Sequence, residues 1–188
     1  MYHPPDTSSI GADDLEFIEL QNAGAEPLNL TGLAFTRGIA FSFTNGTVLA
    51  PGEFFVLARN PAAFAARYPG VPVQGGYEGQ LADSGESIEL SQAGGAPVLS
   101  VEWGDRAPWP VAADGFGFSL VPRNPGSSQA PGCAAAWRAS SWVGGSPGAS
   151  DGEPGIPRIV ISEALAHTGP PEVDAVELYN PNPTPAAV

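Results

Sequence analysis

Hydrophobic and polar residues alternate along most of this chain with a period of two. Ile39, Phe41 and Phe43 keep the alternation over three successive pairs, the mark of a half-buried strand. Leu15-Glu16-Phe17-Ile18-Glu19-Leu20 reads as an earlier strand, stopped by Asn22-Ala23-Gly24. Leu28 and Leu30, then Leu33 and Phe35, form two short alternating stretches either side of Thr31-Gly32. Asn45-Gly46 comes directly after the Ile39–Phe43 run and predicts a hairpin, because both central residues of a type I′ turn need positive φ. Val48-Leu49 resumes the pattern, Pro51-Gly52 suits the centre of a type II turn, and residues 54–57 make a compact apolar strand. Further strands are predicted at 87–90, at 98–103 after the Gly94-Gly95 turn, and at 115–121 through Phe116, Phe118 and Leu120.

One segment departs from that period. Asn60 can cap, Pro61 suits the first helical position, and Ala62-Ala63-Phe64-Ala65-Ala66-Arg67 are mostly good helix formers. Tyr68-Pro69-Gly70 ends the helix after about two turns, too short to stand without packing through Phe64 and Tyr68. Residues 14–122 are therefore expected to form an antiparallel two-sheet sandwich with one short helix at 61–67. Ile18, Leu20, Phe41, Phe43, Val56, Ile88, Leu90, Phe118 and Leu120 are the expected core.

Past Pro122 the pattern loosens, and residues 143–157 are mostly Gly, Ser, Pro and Asp, a linker by composition. Arg158-Ile159-Val160-Ile161-Ser162-Glu163 then opens a new strand. The C-terminal segment echoes the start of the chain. Glu16-Phe17-Ile18-Glu19-Leu20-Gln21-Asn22 matches Asp174-Ala175-Val176-Glu177-Leu178-Tyr179-Asn180 at an offset of 158, and His3-Pro4-Pro5 matches His167 with Pro170-Pro171. The expected organisation is one module over 1–142, a linker over 143–157, and the start of a second module, or a donated strand, over 158–188.

Several separated blocks now resemble a known family. They are Met1-Tyr2-His3-Pro4-Pro5, the Glu16–Leu20 strand, Leu49-Ala50-Pro51-Gly52-Glu53, Gly104-Asp105-Arg106-Ala107-Pro108-Trp109-Pro110, Ala113-Asp114-Gly115, Ser119-Leu120 and Gly144-Gly145-Ser146-Pro147-Gly148. In this order they resemble the bacterial lamin tail domain, and the resemblance implies an all-β, immunoglobulin-like sandwich. Members of that family usually begin with an apolar strand before the Met-Tyr-His-Pro motif. Here its equivalent appears only as Ile159-Val160-Ile161-Ser162-Glu163, so the first module is expected to lack its first strand and Met1 to be an internal residue of the native protein.

Composition narrows the function classes. The 24 glycines and 21 prolines make up about a quarter of the 188 residues, but nine Phe, four Trp and four Tyr supply a core. All seven basic residues are Arg against 20 acidic ones, net −13. A nucleic-acid backbone or an anionic membrane surface would repel such a chain, and no apolar run is long enough to insert in a bilayer. Cys133 is the single cysteine, which excludes an internal disulfide, and it is expected to be packed or half-exposed.

Little chemistry survives inspection. Gly144-Gly145-Ser146-Pro147-Gly148 matches G-x-S-x-G, but that elbow needs the N–H after the serine as an oxyanion donor, and Pro147 has none. His3 and His167 occupy equivalent places in the two copies, which favours a local loop role. Asp13-Asp14-Glu16 and Asp83-Ser84-Gly85-Glu86 lack EF-hand spacing and read as solvated loops. Asn29-Leu30-Thr31 and Asn45-Gly46-Thr47 match the N-glycosylation pattern by coincidence in a bacterial-looking chain. Trp109 between prolines reads as a corner folded over the sandwich edge rather than a sugar platform.

The expectation is a non-enzymatic structural or adhesive module of a bacterial cell-surface or secreted protein, without cofactor, metal or catalytic residues. Its expected partners are other copies of itself or neighbouring modules, joined by strand donation through Ile159, Val160, Ile161 and Ser162. The competing reading is an accessory module binding carbohydrate or calcium beside an extracellular enzyme; a catalytic domain ranks last.

Overall fold

The computed structural model describes residues 1–7, 10–126, 131–152, 160–171 and 173–180. It separates into two units, Met1–Gly152 and Glu153–Val188.

In the first unit, a 3-10 turn over Ala12–Leu15 leads into β1 (Phe17–Gln21), followed by β2 (Leu28–Asn29), β3 (Ala34–Arg37), β4 (Ile39–Ser42), β5 (Val48–Leu49) and β6 (Phe54–Ala58). The helix α1 (Pro61–Arg67) comes next. Then come β7 (Gly75–Gly76), β8 (Glu78–Gly79), β9 (Ser87–Ser91), β10 (Pro97–Glu102), β11 (Leu120–Pro122) and β12 (Trp137–Ala139). A three-stranded sheet runs β1-β6-β7 and a five-stranded sheet runs β10-β9-β3-β4-β8. Every pairing in these two sheets is antiparallel except β6 with β7.

The main core lies where the two sheets face each other. Phe35, Ile39 and Leu90 from the larger sheet meet Leu57 from the smaller, with Tyr2, Phe43, Leu49, Tyr77, Leu81 and Trp103 closing the ends. A second, smaller core lies on the other face of the three-stranded sheet, where α1 seats Phe64 against Phe17, Val56 and Ala58. The Asn60 side chain accepts the Ala63 N–H at 3.1 Å and Pro61 begins the helix, as the sequence predicts. Phe64 and Tyr68, the two residues expected to dock it, both pack there.

Four expectations need correction. Asn45-Gly46 does turn, with Thr47 N–H donating to Thr44 O, but the turn is not a hairpin tip. β4 stays in the five-stranded sheet while β5 pairs with β2, so the chain changes sheet at this corner. Residues 115–121 are not one strand. Gly115 and Gly117 take φ of 76° and 84°, left-handed values that break an extended run. Only Leu120–Pro122 is a strand, and Phe116 is left exposed. Of the expected core, Phe43, Val56 and Leu90 are buried; Ile18, Leu20, Phe41, Ile88 and Leu120 are half-buried against the core, and Phe118 is half-buried outside both clusters. Cys133 is exposed rather than packed, because it caps a short surface turn at Ala134–Ala136.

The Gly/Ser/Pro stretch divides. Residues 143–152 belong to the first unit, while 153–157, with Arg158 and Ile159, lie outside the described residues. In the second unit β13 (Val160–Leu165) pairs antiparallel with β14 (Ala175–Tyr179), with a bulge between Ile161 and Glu163. Every residue of both strands is exposed.

Candidate functional site

The residues that first invite a catalytic reading are committed to holding the module closed. Ser146 Oγ donates to Asp151 Oδ2 at 2.8 Å. The same carboxylate accepts from the Ser141 N–H and hydroxyl at 3.0 Å and pairs with the Arg138 guanidinium. Burial works to raise the Asp151 pKa, but the hydrogen bonds from Arg138, Ser146 and Ser141 outweigh it and hold the carboxyl below its usual range. Just upstream, Gly144 N–H donates to Gly117 O and Gly144 O accepts the Tyr68 hydroxyl at 2.8 Å. The G-x-S-x-G match is thus a buckle that fastens residues 144–151 to the sandwich.

Several of the other singled-out residues also bond or pack within the same unit. His3 Nδ1 lies 2.6 Å from Asp114 Oδ1, and Gly115 N–H donates to His3 O. This ties the Met-Tyr-His-Pro segment to the Ala113-Asp114-Gly115 block. Tyr2 packs on Trp103 at 5.6 Å between centroids. Burial, with Asp114, Asp105 and Asp83 nearby, pushes the Tyr2 phenol up. Glu53 accepts the Ala50 N–H across the Pro51-Gly52 turn, and Glu86 accepts the Ala82 N–H across the Asp83-Ser84-Gly85 turn. Trp109 packs on the main core beside Gly104. Asn29 and Asn45 are exposed. Among the described residues, no group of three or more His, Cys, Asp or Glu is placed to hold a metal ion.

Two buried polar residues escaped the sequence reading. Glu16, read as part of a solvated carboxylate group, is fully buried. Its Oε2 accepts the Tyr77 hydroxyl at 3.0 Å and the Leu81 N–H at 2.9 Å. Arg59 Nη1 stands 3.7 Å from Oε1 and closer, 3.0 Å, to Asp13. Burial pushes the carboxyl up to about 7, against the pull of those hydrogen bonds and of Arg59. Asn22 is also fully buried. Its Nδ2 donates to Glu26 O and Leu49 O, and its Oδ1 accepts the Gly24 N–H. The alternation held a signal for both, since Glu16 and Asn22 share parity with core-facing Ile18 and Leu20.

The outer edge of β1 is bonded to the start of the chain, and the Glu19 side chain there accepts the Gly148 N–H. Arg59 N–H donates to Glu16 O and Asn22 N–H to Glu53 O, so even-numbered residues of this stretch turn their backbone groups toward β6. Odd-numbered residues therefore turn theirs outward. Met1 meets this outer edge at one point, with Met1 N donating to Phe17 O at 2.9 Å and Phe17 N–H to Met1 O at 3.2 Å. Beyond it, among the described residues, no strand pairs with Glu19 or Gln21 on that side. Burial lowers the Met1 amino group to about 5, although Glu19 and Glu16 pull the other way. The strand expected to serve as donor is found in the second unit, where Val160 pairs with Tyr179, Ile161 with Leu178, and the Ser162 hydroxyl donates to the Glu177 carboxylate; Ile159 lies outside the described residues.

A family model described as the lamin tail domain matches residues 1–105. No curated protein matches the chain.

Proposed function

The chain belongs to the lamin tail domain family, and on that premise we propose that it is a non-catalytic structural or adhesive module of a bacterial surface or secreted protein. Its fold is the immunoglobulin-like β-sandwich of that family. The observation that carries the proposal is where the recurring blocks are spent. Met1–His3, Leu49–Glu53 (through Asn22), Gly104–Trp109, Asp114-Gly115 and Gly144–Ser146 each bond or pack onto another part of the same unit. Blocks used in this way specify a scaffold, and function then lies on its edges and outer faces.

A link between like modules also accounts for the echo of residues 16–22 at 174–180 and for the Gly/Ser/Pro stretch between them. The net charge of −13 keeps such a string soluble. No helix among the described residues is long and apolar enough to cross a membrane. Its partners, on this proposal, are neighbouring modules or further copies.

Two measurements test the reading against an accessory ligand-binding module. Glycan-array binding and calcium-dependent melting of the full chain are expected to show no specific glycan and no shift beyond that given by magnesium. A saturable glycan, or calcium stabilisation that chelator reverses, would overturn it in favour of the ligand-binding role. Antibody labelling of intact cells that make the parent protein tests the surface placement; labelling only after permeabilisation would refute it.

A further inference from the structure

We propose that Asn45-Gly46 is a site of spontaneous chemical modification, closing to a succinimide and reopening as aspartate or isoaspartate, and that the Thr31 hydroxyl holds it shut in the folded module. The proposal goes beyond the structural-module reading and does not depend on it.

Asn or Asp before Gly is the pair that closes to such a ring, because glycine has no side chain to crowd the approach of its nitrogen. The chain has one Asn-Gly pair, Asn45-Gly46, and two Asp-Gly pairs, Asp114-Gly115 and Asp151-Gly152. In both aspartates the group that would be attacked is clamped. Asp114 Oδ1 lies 2.6 Å from His3 Nδ1, and the Asp151 carboxylate is held by Arg138, Ser141 and Ser146. Those same contacts keep Asp151 ionised, and a carboxylate resists attack by an amide nitrogen. Asn45 is different. It is exposed, and among the described residues its side-chain amide has no hydrogen-bond partner. Here the fold restrains the attacking nitrogen instead.

Two features restrain it. The Gly46 N–H donates to Thr31 Oγ1 at 3.0 Å. The turn also points that nitrogen the wrong way. Thr47 N–H donates to Thr44 O, Asn45 has negative φ and Gly46 has φ of 85°, which together make a type II turn. Ring closure needs the Gly46 nitrogen to swing round beside Asn45 Cβ. A ψ of about +120° at the first central residue of a type II turn carries it to the far side. Reaching the reactive geometry therefore rotates the 45–46 peptide and breaks the bond to Thr31. Thr31 is itself anchored, since Asn29 Oδ1 accepts its N–H at 3.0 Å and the adjacent Leu30 N–H donates to Thr47 O at 2.9 Å.

Once the corner opens, water supplies everything else. Hydroxide takes the Gly46 amide proton and the nitrogen attacks Asn45 Cγ. The Cγ–Nδ2 bond breaks, and the side-chain nitrogen leaves as ammonia with a proton from water. Water then adds across one of the two C–N bonds of the ring, giving aspartate or isoaspartate. Isoaspartate lengthens the main chain by one carbon and adds a negative charge between β4 and β5. The pairing of β5 with β2, which seats the buried Leu49, depends on that length.

Mass spectrometry of the tryptic peptide over residues 38–59 tests the proposal on the full-length chain. The chain is incubated at neutral pH and physiological temperature, folded or in urea. Deamidation at Asn45 is expected to be at least about tenfold slower in the folded chain, because it waits on local opening. Thr31→Val, at an exposed position, is expected to raise the folded-state rate about fivefold, the weight of one hydrogen bond. The same variant should speed exchange of the Gly46 amide hydrogen and leave that of Thr47, bonded to Thr44 O, unchanged. Thr31→Ser keeps the hydroxyl and should keep the native rate. Equal rates in the folded and urea-unfolded chain overturn the proposal. So does an unchanged rate in Thr31→Val, or an equal acceleration in Thr31→Ser. Each of these failures leaves the structural-module reading standing, because that reading falls only to a specific glycan, to calcium or to the cell-labelling result.

Discussion

Replacing Glu16 by Gln is expected to stabilise the protein at alkaline pH and to leave it nearly unchanged at acidic pH. Glu16 has no exposed surface, so ionising it costs the desolvation of a carboxylate. Its hydrogen bonds from Tyr77 and Leu81 both reach Oε2, and the glutamine oxygen can accept both. Arg59 gives weak compensation, being 3.7 Å from Oε1 and shared with Asp13. The folded carboxyl is pushed up to about 7 from 4.5, which at roughly 1.4 kcal/mol per pKa unit corresponds to about 3 kcal/mol. The sign is set by proton binding. Between 4.5 and 7 the folded state holds more protons than the unfolded one, so stability is full below 4.5 and falls as pH rises through 7. Glutamine removes that dependence. Urea unfolding followed by tryptophan fluorescence, with Trp103 buried in the main core, should show the two chains matching below 4.5 and the Gln chain ahead above 7. Glu19, whose pKa is also shifted but without a contribution from Glu16, acts alike in both chains and drops out of the difference. If Glu16→Gln destabilises the protein above 7, the carboxylate is ionised and its pairing with Arg59 outweighs burial, which refutes the reasoning.

Phe43→Ala should cost about 3–5 kcal/mol in the same assay, and Phe41→Ala clearly less, because Phe43 is buried and Phe41 only half-buried; equal costs would contradict the placement of the core. Asn22→Ala leaves Glu26 O, Leu49 O and the Gly24 N–H without their partner, an expected loss of about 2–4 kcal/mol that a thermal melt would detect. Asp151→Ala leaves Arg138 unpaired in a partly buried place and should cost about 3 kcal/mol on urea unfolding. Ser146→Ala removes one hydrogen bond to the same carboxylate and should cost under about 1 kcal/mol; any ester hydrolysis that vanished with it would revive the catalytic reading.

Local elements and the class of fold were legible in the chain before any contact was known. Alternation placed β1, β4, β6 and β9 within a residue or two, and Asn60-Pro61 with its run of helix formers placed α1, because these depend on neighbours a few positions away. The blocks from Met1-Tyr2-His3 to Gly144-Gly145 pointed to the family for the same reason, since they are local strings. Partnership was different, and only the folded chain settled it. Asn45-Gly46 looks the same in a hairpin as in a corner between sheets, and the pairing of β5 with β2 makes it a corner. Phe116 and Phe118 alternate like core residues, but left-handed Gly115 and Gly117, with pairing that begins only at Leu120, put them outside. Glu16 keeps the inward parity of β1, yet its charge argued for solvent until Tyr77 and Leu81, more than sixty residues away, supplied its hydrogen bonds. The edge of β1 is the clearest case. The strand is plain in the sequence, but which backbone groups face outward depends on the pairing of β1 with β6, and that parity exists only once the sheet has formed.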